Sequence, residues 1–156
     1  TPKDAVNNLQ IALVGGFGQF ILVRQQVCEF FNIGDSSLYH VRGNKIRKLT
    51  RGHSLVQTLV DSGELTPQEA LHHPNKNIIT RVVGVDDHVE ADLSRCTISS
   101  GYLLLCSDGL SNLVDEQEIL FEVIHGVNKQ HCCQQLLSIA KNRGAPDNVT
   151  SILVQV

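Results

Sequence analysis

The chain lacks a surplus of basic charge. Thirteen Lys and Arg stand against sixteen Asp and Glu, a formal net charge of −3 with 19% of residues charged. A nucleic-acid-binding surface neutralises phosphates with excess cations, so this balance argues against that class. The one basic cluster, Arg42, Lys45, Arg47, Lys48 and Arg51, alternates with Val41, Ile46 and Leu49. That spacing reads as the solvated face of a hairpin, with steering of a charged substrate as the alternative. A disulfide framework is missing too: the five cysteines are odd in number and two are adjacent, Cys132-Cys133. A reducing compartment follows. There is no C-x-x-C pair to suggest zinc, and no leader pattern or apolar run long enough to cross a bilayer. The expected setting is cytoplasmic, with neither nucleic acid nor membrane as partner. Repeats, low-complexity tracts and linkers are also absent, and 156 residues make one domain with a proper core.

What is present begins as strands. Ile11–Val14, Phe20–Val23 (after Gly15-Gly16-Phe17-Gly18), Val27–Ile33, Ser37–Val41 and, past a Gly43-Asn44 turn, Ile46–Leu49 predict an antiparallel meander. Ser54 ahead of Gln57, and Thr66-Pro67-Gln68-Glu69 with its capping-box pattern, predict two short helices separated at Gly63. Ile78–Gly84 reads as either a short strand or a packed loop. Val89–Leu93 and Tyr102–Cys106 are predicted strands joined by a turn at Ser99-Ser100-Gly101. Asp115 opens a helix with Ile119, Leu120, Val123 and Ile124 on one face, a second helix runs over Lys129–Arg143, and Val149–Val156 is a closing strand. Strands grouped around helical pairs predict an α+β layered domain with a mostly antiparallel sheet.

Three aspartates sit at the punctuation points of these strands: Asp35 in Gly34-Asp35-Ser36, Asp108 in Ser107-Asp108-Gly109 and Asp147 in Pro146-Asp147-Asn148. Singly, each is an ordinary turn or capping residue. If their strands share one edge of one sheet, the carboxylates converge on hard cations such as Mg²⁺ or Mn²⁺, which take oxygen ligands. That pattern points to a metal-dependent hydrolase.

The order of several short segments then resembles a known family. They are Asn32-Ile33-Gly34-Asp35-Ser36, His53-Ser54-Leu55-Val56, Leu65-Thr66-Pro67-Gln68-Glu69-Ala70, and the run from His73 to Arg81. Leu103–Leu110, with its Ser107-Asp108-Gly109, and Asn142–Thr150, with its Pro146-Asp147-Asn148, complete the set. Over about Asn32 to Val156 the chain resembles the C-terminal two-thirds of the metal-dependent serine/threonine protein phosphatases of type 2C. The resemblance implies a truncated β-sandwich flanked by helices. It also implies two Mn²⁺ or Mg²⁺ ions with a weaker third, Asp108 and Asp147 as ligands of the binuclear centre, and Asp35 beside the third. The implied reaction is hydrolysis of phosphoserine and phosphothreonine in protein substrates by a metal-activated water, with no covalent intermediate.

Some of the family pattern is not matched. No segment resembles its N-terminal Asp-Gly-x-Gly-Gly-His-like motif, and Gly15-Gly16-Phe17-Gly18 reads as a hairpin turn. Ser37, Gly52 and Asn112 stand where the family carries arginine, aspartate and aspartate. The ligand set is therefore about half of a binuclear centre, and no general acid is assigned. His53 reads as locally structural, and His72, His73, His125 and His131 as helix-end residues. Gly109 and Gly144 are either turn-formers near the metal or punctuation. Cys106 reads as core. Two alternatives stay open: part of an active phosphatase whose site a further segment or partner chain completes, or a catalytically incomplete interaction domain. Retention of both Asp108-Gly109 and Asp147-Asn148 favours the first.

Overall fold

The computed structural model describes residues 10–14, 19–24, 26–76, 78–81 and 88–156. Its elements are β1 (Gln10–Val14), β2 (Gln19–Arg24), β3 (Val27–Asn32), β4 (Ser37–Arg42), β5 (Lys45–Lys48), α1 (Leu55–Asp61), α2 (Pro67–His72), β6 (Asp92–Thr97), β7 (Tyr102–Cys106), α3 (Asp108–Ser111), α4 (Glu116–His125), α5 (Lys129–Asn142) and β8 (Ser151–Gln155). They form two four-stranded antiparallel sheets, one in the order β1-β2-β3-β6 and the other β5-β4-β7-β8.

The apolar run Leu103-Leu104-Leu105-Cys106 has no strand-like alternation because β7 is buried on both faces. Leu103 and Leu105 join Ile21, Val23, Cys28, Phe30 and Leu38 in a layer between the sheets. Leu104 and Cys106 face the other way, onto Leu110, Ile119, Val123 and Leu136 from the helices. Full burial of each such leucine is worth roughly 1.5–3 kcal/mol, so this strand holds three layers together. Strand β4 does the same with Leu38 toward one core and Tyr39 and Val41 toward the other.

The layered α+β expectation holds, but the single meander does not. The chain leaves the first sheet after β3 and enters the second at β4, so β3 and β4 are not paired. Likewise β6 pairs with β3, and β7 with β4 and β8, so Ser99-Ser100-Gly101 is a crossing between sheets and not a hairpin turn. Strand β6 starts at Asp92 rather than Val89. Its exposed Ser94 and Arg95 show the pattern of a sheet edge, which apolar alternation cannot reveal. The Gly15–Gly18 turn and Val82–Gly84 fall outside the described residues.

Local signals behave as their chemistry dictates. Ser54 and Thr66 accept from the backbone of Gln57 and Glu69, the latter in a complete capping box, and Asp115 and Glu118 form a second one on α4. Ile119 and Val123 of α4 are buried whereas Ile124 is 40% exposed. Arg42, Lys45 and Arg47 are exposed on the β4–β5 hairpin as expected, whereas Lys48 lies over the Tyr39 ring and Arg51, beyond β5, pairs with Asp61.

Candidate metal centre

Register brings the three aspartates to one edge. Ser37 pairs with Cys106, and Cys106 pairs with Ser151. Because these ladders are antiparallel, β4 begins, β7 ends and β8 begins at the same end of the second sheet. Asp35 lies two residues before that line, Asp108 two after it and Asp147 four before it. Asp35 therefore belongs to the start of β4, not to the end of a strand in the same sheet.

The carboxyls disturb one another. Burial, then the charge of Asp108 and more weakly that of Asp147, pushes Asp35 up to about 6. Burial and then the charge of Asp147 raise Asp108, while the Gly109 backbone and Asp35 pull it down. Asp35 Oδ1 is buried and has no hydrogen-bond partner. An orphaned carboxylate oxygen beside a second raised carboxyl is what a cation site presents when only its protein ligands are considered.

The loops around them are sewn together. Ser107 Oγ donates to the Asn148 carbonyl and accepts from the Thr150 amide, both at 3.0 Å, so the segments bearing Asp108 and Asp147 are tied side by side. Gly109 packs against Asn148 so closely that a Cβ would stand 2.3 Å from its carbonyl oxygen. Asn112, one turn along α3, donates to Asp108 Oδ2 at 3.4 Å. A donor thus stands four residues after Asp108, where the resemblance implies an aspartate. Asp147 Oδ1 accepts from the Asn148 amide. Gly144 makes no close approach; it leaves α5 at φ 96.

A buried group stands behind Asp35, the histidine expected to be locally structural, whose partners the sequence did not reveal. His53 is 7% exposed. Its Nδ1 accepts from the Gly34 amide at 3.0 Å, and its own amide donates to the Gly34 carbonyl at 2.9 Å. On the far side of the ring, Nε2 is 2.8 Å from Asp92 Oδ2, and Arg81 meets Asp92 Oδ1 at 2.9 Å. The signal was present as a histidine directly before the helix-capping Ser54, but its partner Asp92 lay in a strand whose start was misplaced. Of the other histidines, His125 Nδ1 lies 2.9 Å from the Phe121 carbonyl, while His73 Nδ1 accepts from the Asn75 amide.

A cleft of about 560 Å³ opens over Asp35 and Asp108, walled by Lys48, Gln57, His72 and Lys76. A smaller one of about 330 Å³ runs from Asp108 past Lys76 to Asp147. Among the described residues no three His, Cys, Asp or Glu side chains surround one point as ligands of a single ion. The donor set therefore fits a divalent cation in part: acid, oxygen-only and under-satisfied, yet short of a full shell.

Comparison with known proteins supplies the family. No protein-family model matches the sequence. Protein phosphatase PhpP of Streptococcus pneumoniae is 41% identical over 128 residues, covering 81% of this chain and 52% of its own length. The serine/threonine phosphatase PstP/Ppp of Mycobacterium tuberculosis superposes with a TM-score of 0.84 at 33% identity, over 90% of this chain and 59% of that one. The catalytic domain of PstP in complex with two manganese ions does so at 0.76 and 32%, over 90% and 58%. The chain belongs to the type 2C protein phosphatase family. It spans about half the length of the curated relatives it matches.

Proposed function

We propose that this chain carries the Asp35, Asp108 and Asp147 part of a metal-dependent serine/threonine phosphatase acting on phosphoserine and phosphothreonine in proteins. The observation that supports this is the arrival of all three carboxylates at one edge of one sheet, in a chain of this family. Asp108 and Asp147 would hold the two principal ions, and Asp35 a weaker third. Mn²⁺ or Mg²⁺, when bound, supplies a Lewis acid and a water of lowered pKa.

The chain's own contribution is binding and orientation. Carboxylates offset cation charge, and Lys48 and Lys76 give the cleft a cationic wall that attracts a phosphoryl group. His53 is no proton donor to substrate, since its ring nitrogens are engaged by the Gly34 amide and the Asp92 carboxylate. Nor is a cysteine nucleophile available at the cleft: burial pushes Cys106 up to about 12. The general acid is therefore not assigned to this chain. All five cysteines are free, which fits the reducing, cytoplasmic setting that belongs to this proposal. Among the described residues no helix is long and apolar enough to cross a membrane.

A specific observation favours a second reading, a catalytically incomplete interaction domain: no three-ligand cluster exists among the described residues. Hydrolysis of an aryl phosphate by the chain with Mn²⁺, compared with Asp108→Asn, separates the two. Mn-dependent turnover abolished by the substitution supports the enzyme. A folded chain without turnover supports the interaction domain.

A further inference from the structure

The Gly34-Asp35-Ser36 segment crosses between sheets, where no strand ladder can satisfy its backbone. Buried side chains take over that task. Asn32, 1% exposed, donates to the Gly34 carbonyl at 3.0 Å, and Gln19, 0% exposed, donates to the Ser36 carbonyl at 3.3 Å. Thr50, 6% exposed, stands 3.5 Å from the same carbonyl. The His53 ring adds the one side-chain bond to the Gly34 amide, and the backbone amide of the same residue donates to the Gly34 carbonyl. Four polar side chains buried around three residues are costly, the more so as Gln19 Oε1 is left without a partner, and apolar residues would give cohesion alone. What the polar set provides is direction.

Gly34 has φ 100, a conformation open to glycine, whose neighbouring peptide planes would otherwise swing freely. The ring of His53 fixes the plane before Gly34, and its amide fixes the plane after it, the one from which Asp35 departs. Because Nδ1 accepts a backbone N–H, the ring proton resides on Nε2 and is donated to Asp92. Asp92 is held well below the usual carboxylate range, first by His53 and then by Arg81, so it stays an acceptor. We infer that His53 is a positioning residue for Asp35: it locks Gly34 through two hydrogen bonds and thereby aims the Asp35 carboxylate at the cation site. The role rests on the metal-site reading above. Outer partners of this kind govern metal affinity by about 10- to 100-fold.

The test compares His53→Phe, which keeps the ring and loses the acceptor, with His53→Asn, whose side-chain oxygen can take the place of Nδ1. Mn²⁺ affinity is measured by calorimetry on the full chain, and Gly34 amide exchange by NMR without metal. In His53→Phe, Mn²⁺ affinity falls about 10- to 100-fold and Gly34 exchange accelerates; His53→Asn keeps both near wild type. In an Asp35→Asn background, His53→Phe costs no further affinity, an outcome that general destabilisation would not produce. If His53→Phe does not fold, His53→Gln removes the same acceptor. Wild-type affinity in the Phe or Gln variant, or an Asn variant as impaired as Phe, overturns the inference. A wild-type chain that binds no Mn²⁺ sinks the metal-site reading instead, and Gly34 exchange then decides the lock: protection unchanged in the Phe variant overturns it, and protection lost there with Asn retaining it supports it.

Discussion

Gly109 and Asn148 touch backbone to backbone: the hydrogen atoms of one leave room for the carbonyl of the other, and a Cβ would come within 2.3 Å of that oxygen. The contact sets the spacing of the segments that carry Asp108 and Asp147. Gly109→Ala must therefore push two backbones apart, which no flexible side chain can absorb. Urea denaturation is expected to show a loss of about 1–3 kcal/mol, with Mn²⁺ affinity falling further than stability. An alanine variant as stable as wild type would remove the steric role.

The raised Asp35 gives a pH signature with a definite sign. Its folded value of about 6 exceeds its ordinary 3.8, so the contribution it makes is fully present below about pH 4 and lost as pH rises through about 6. Asp108, also raised, acts in the same direction. Asp92, held low, acts oppositely and loses its contribution in acid, so the effect is isolated by difference. Relative to wild type, Asp35→Asn should gain about 1 kcal/mol between pH 4 and pH 7 in the metal-free chain, solvent screening of the half-buried carboxyl reducing the full effect. Chemical denaturation at each pH measures it, and a flat difference would contradict the buried pair.

Thiol labelling should divide the cysteines by burial. Burial raises Cys28, Cys106 and Cys132 to about 12, with Cys96 adding to the effect at Cys28 and Cys133 at Cys132. The native chain at pH 8 is expected to react with an aromatic disulfide reagent at Cys96 and Cys133, the partly exposed pair. Peptide mass mapping identifies the sites. Fast modification of Cys106 would mean that the helix layer over β7 opens readily.

The cap of α4 offers a test outside the site. Asp115 accepts from the amides of Gln117 and Glu118 at 2.8 and 2.9 Å, and Glu118 returns a bond to the Asp115 amide. Asp115→Ala should cost about 1 kcal/mol by thermal melting while leaving Mn²⁺ affinity unchanged. A large loss of affinity would tie α4 to the metal edge.

Element types were legible because local chemistry decides them: Thr66-Pro67-Gln68-Glu69 begins a helix with its capping box, and Gly43-Asn44 turns β4 into β5. Sheet membership was not, because Val27–Ile33 and Ser37–Val41 carry similar apolar weight whether they pair with each other or part company at Gly34. That Asp108 and Asp147 reach one edge of the second sheet follows from the register of β7 and β8, and their role as ligands belongs to the proposal above. The support behind Asp35 was not legible: Gln19, Asn32, His53 and Asp92 are scattered over 74 positions, and only the folded crossing gathers them.

That crossing has a mechanical consequence. Asp108 and Asp147 flank the paired ends of neighbouring strands of one sheet, stitched by Ser107, so their separation follows a ladder that does not slide. Asp35 stands on the seam, with one anchor in each sheet. A slip of one layer over the other, such as a smaller residue at Leu103 would permit, moves Asp35 and spares the other two. Substitutions deep between the sheets should therefore shift the Asp35 carboxylate relative to the other two, at a distance from any of them.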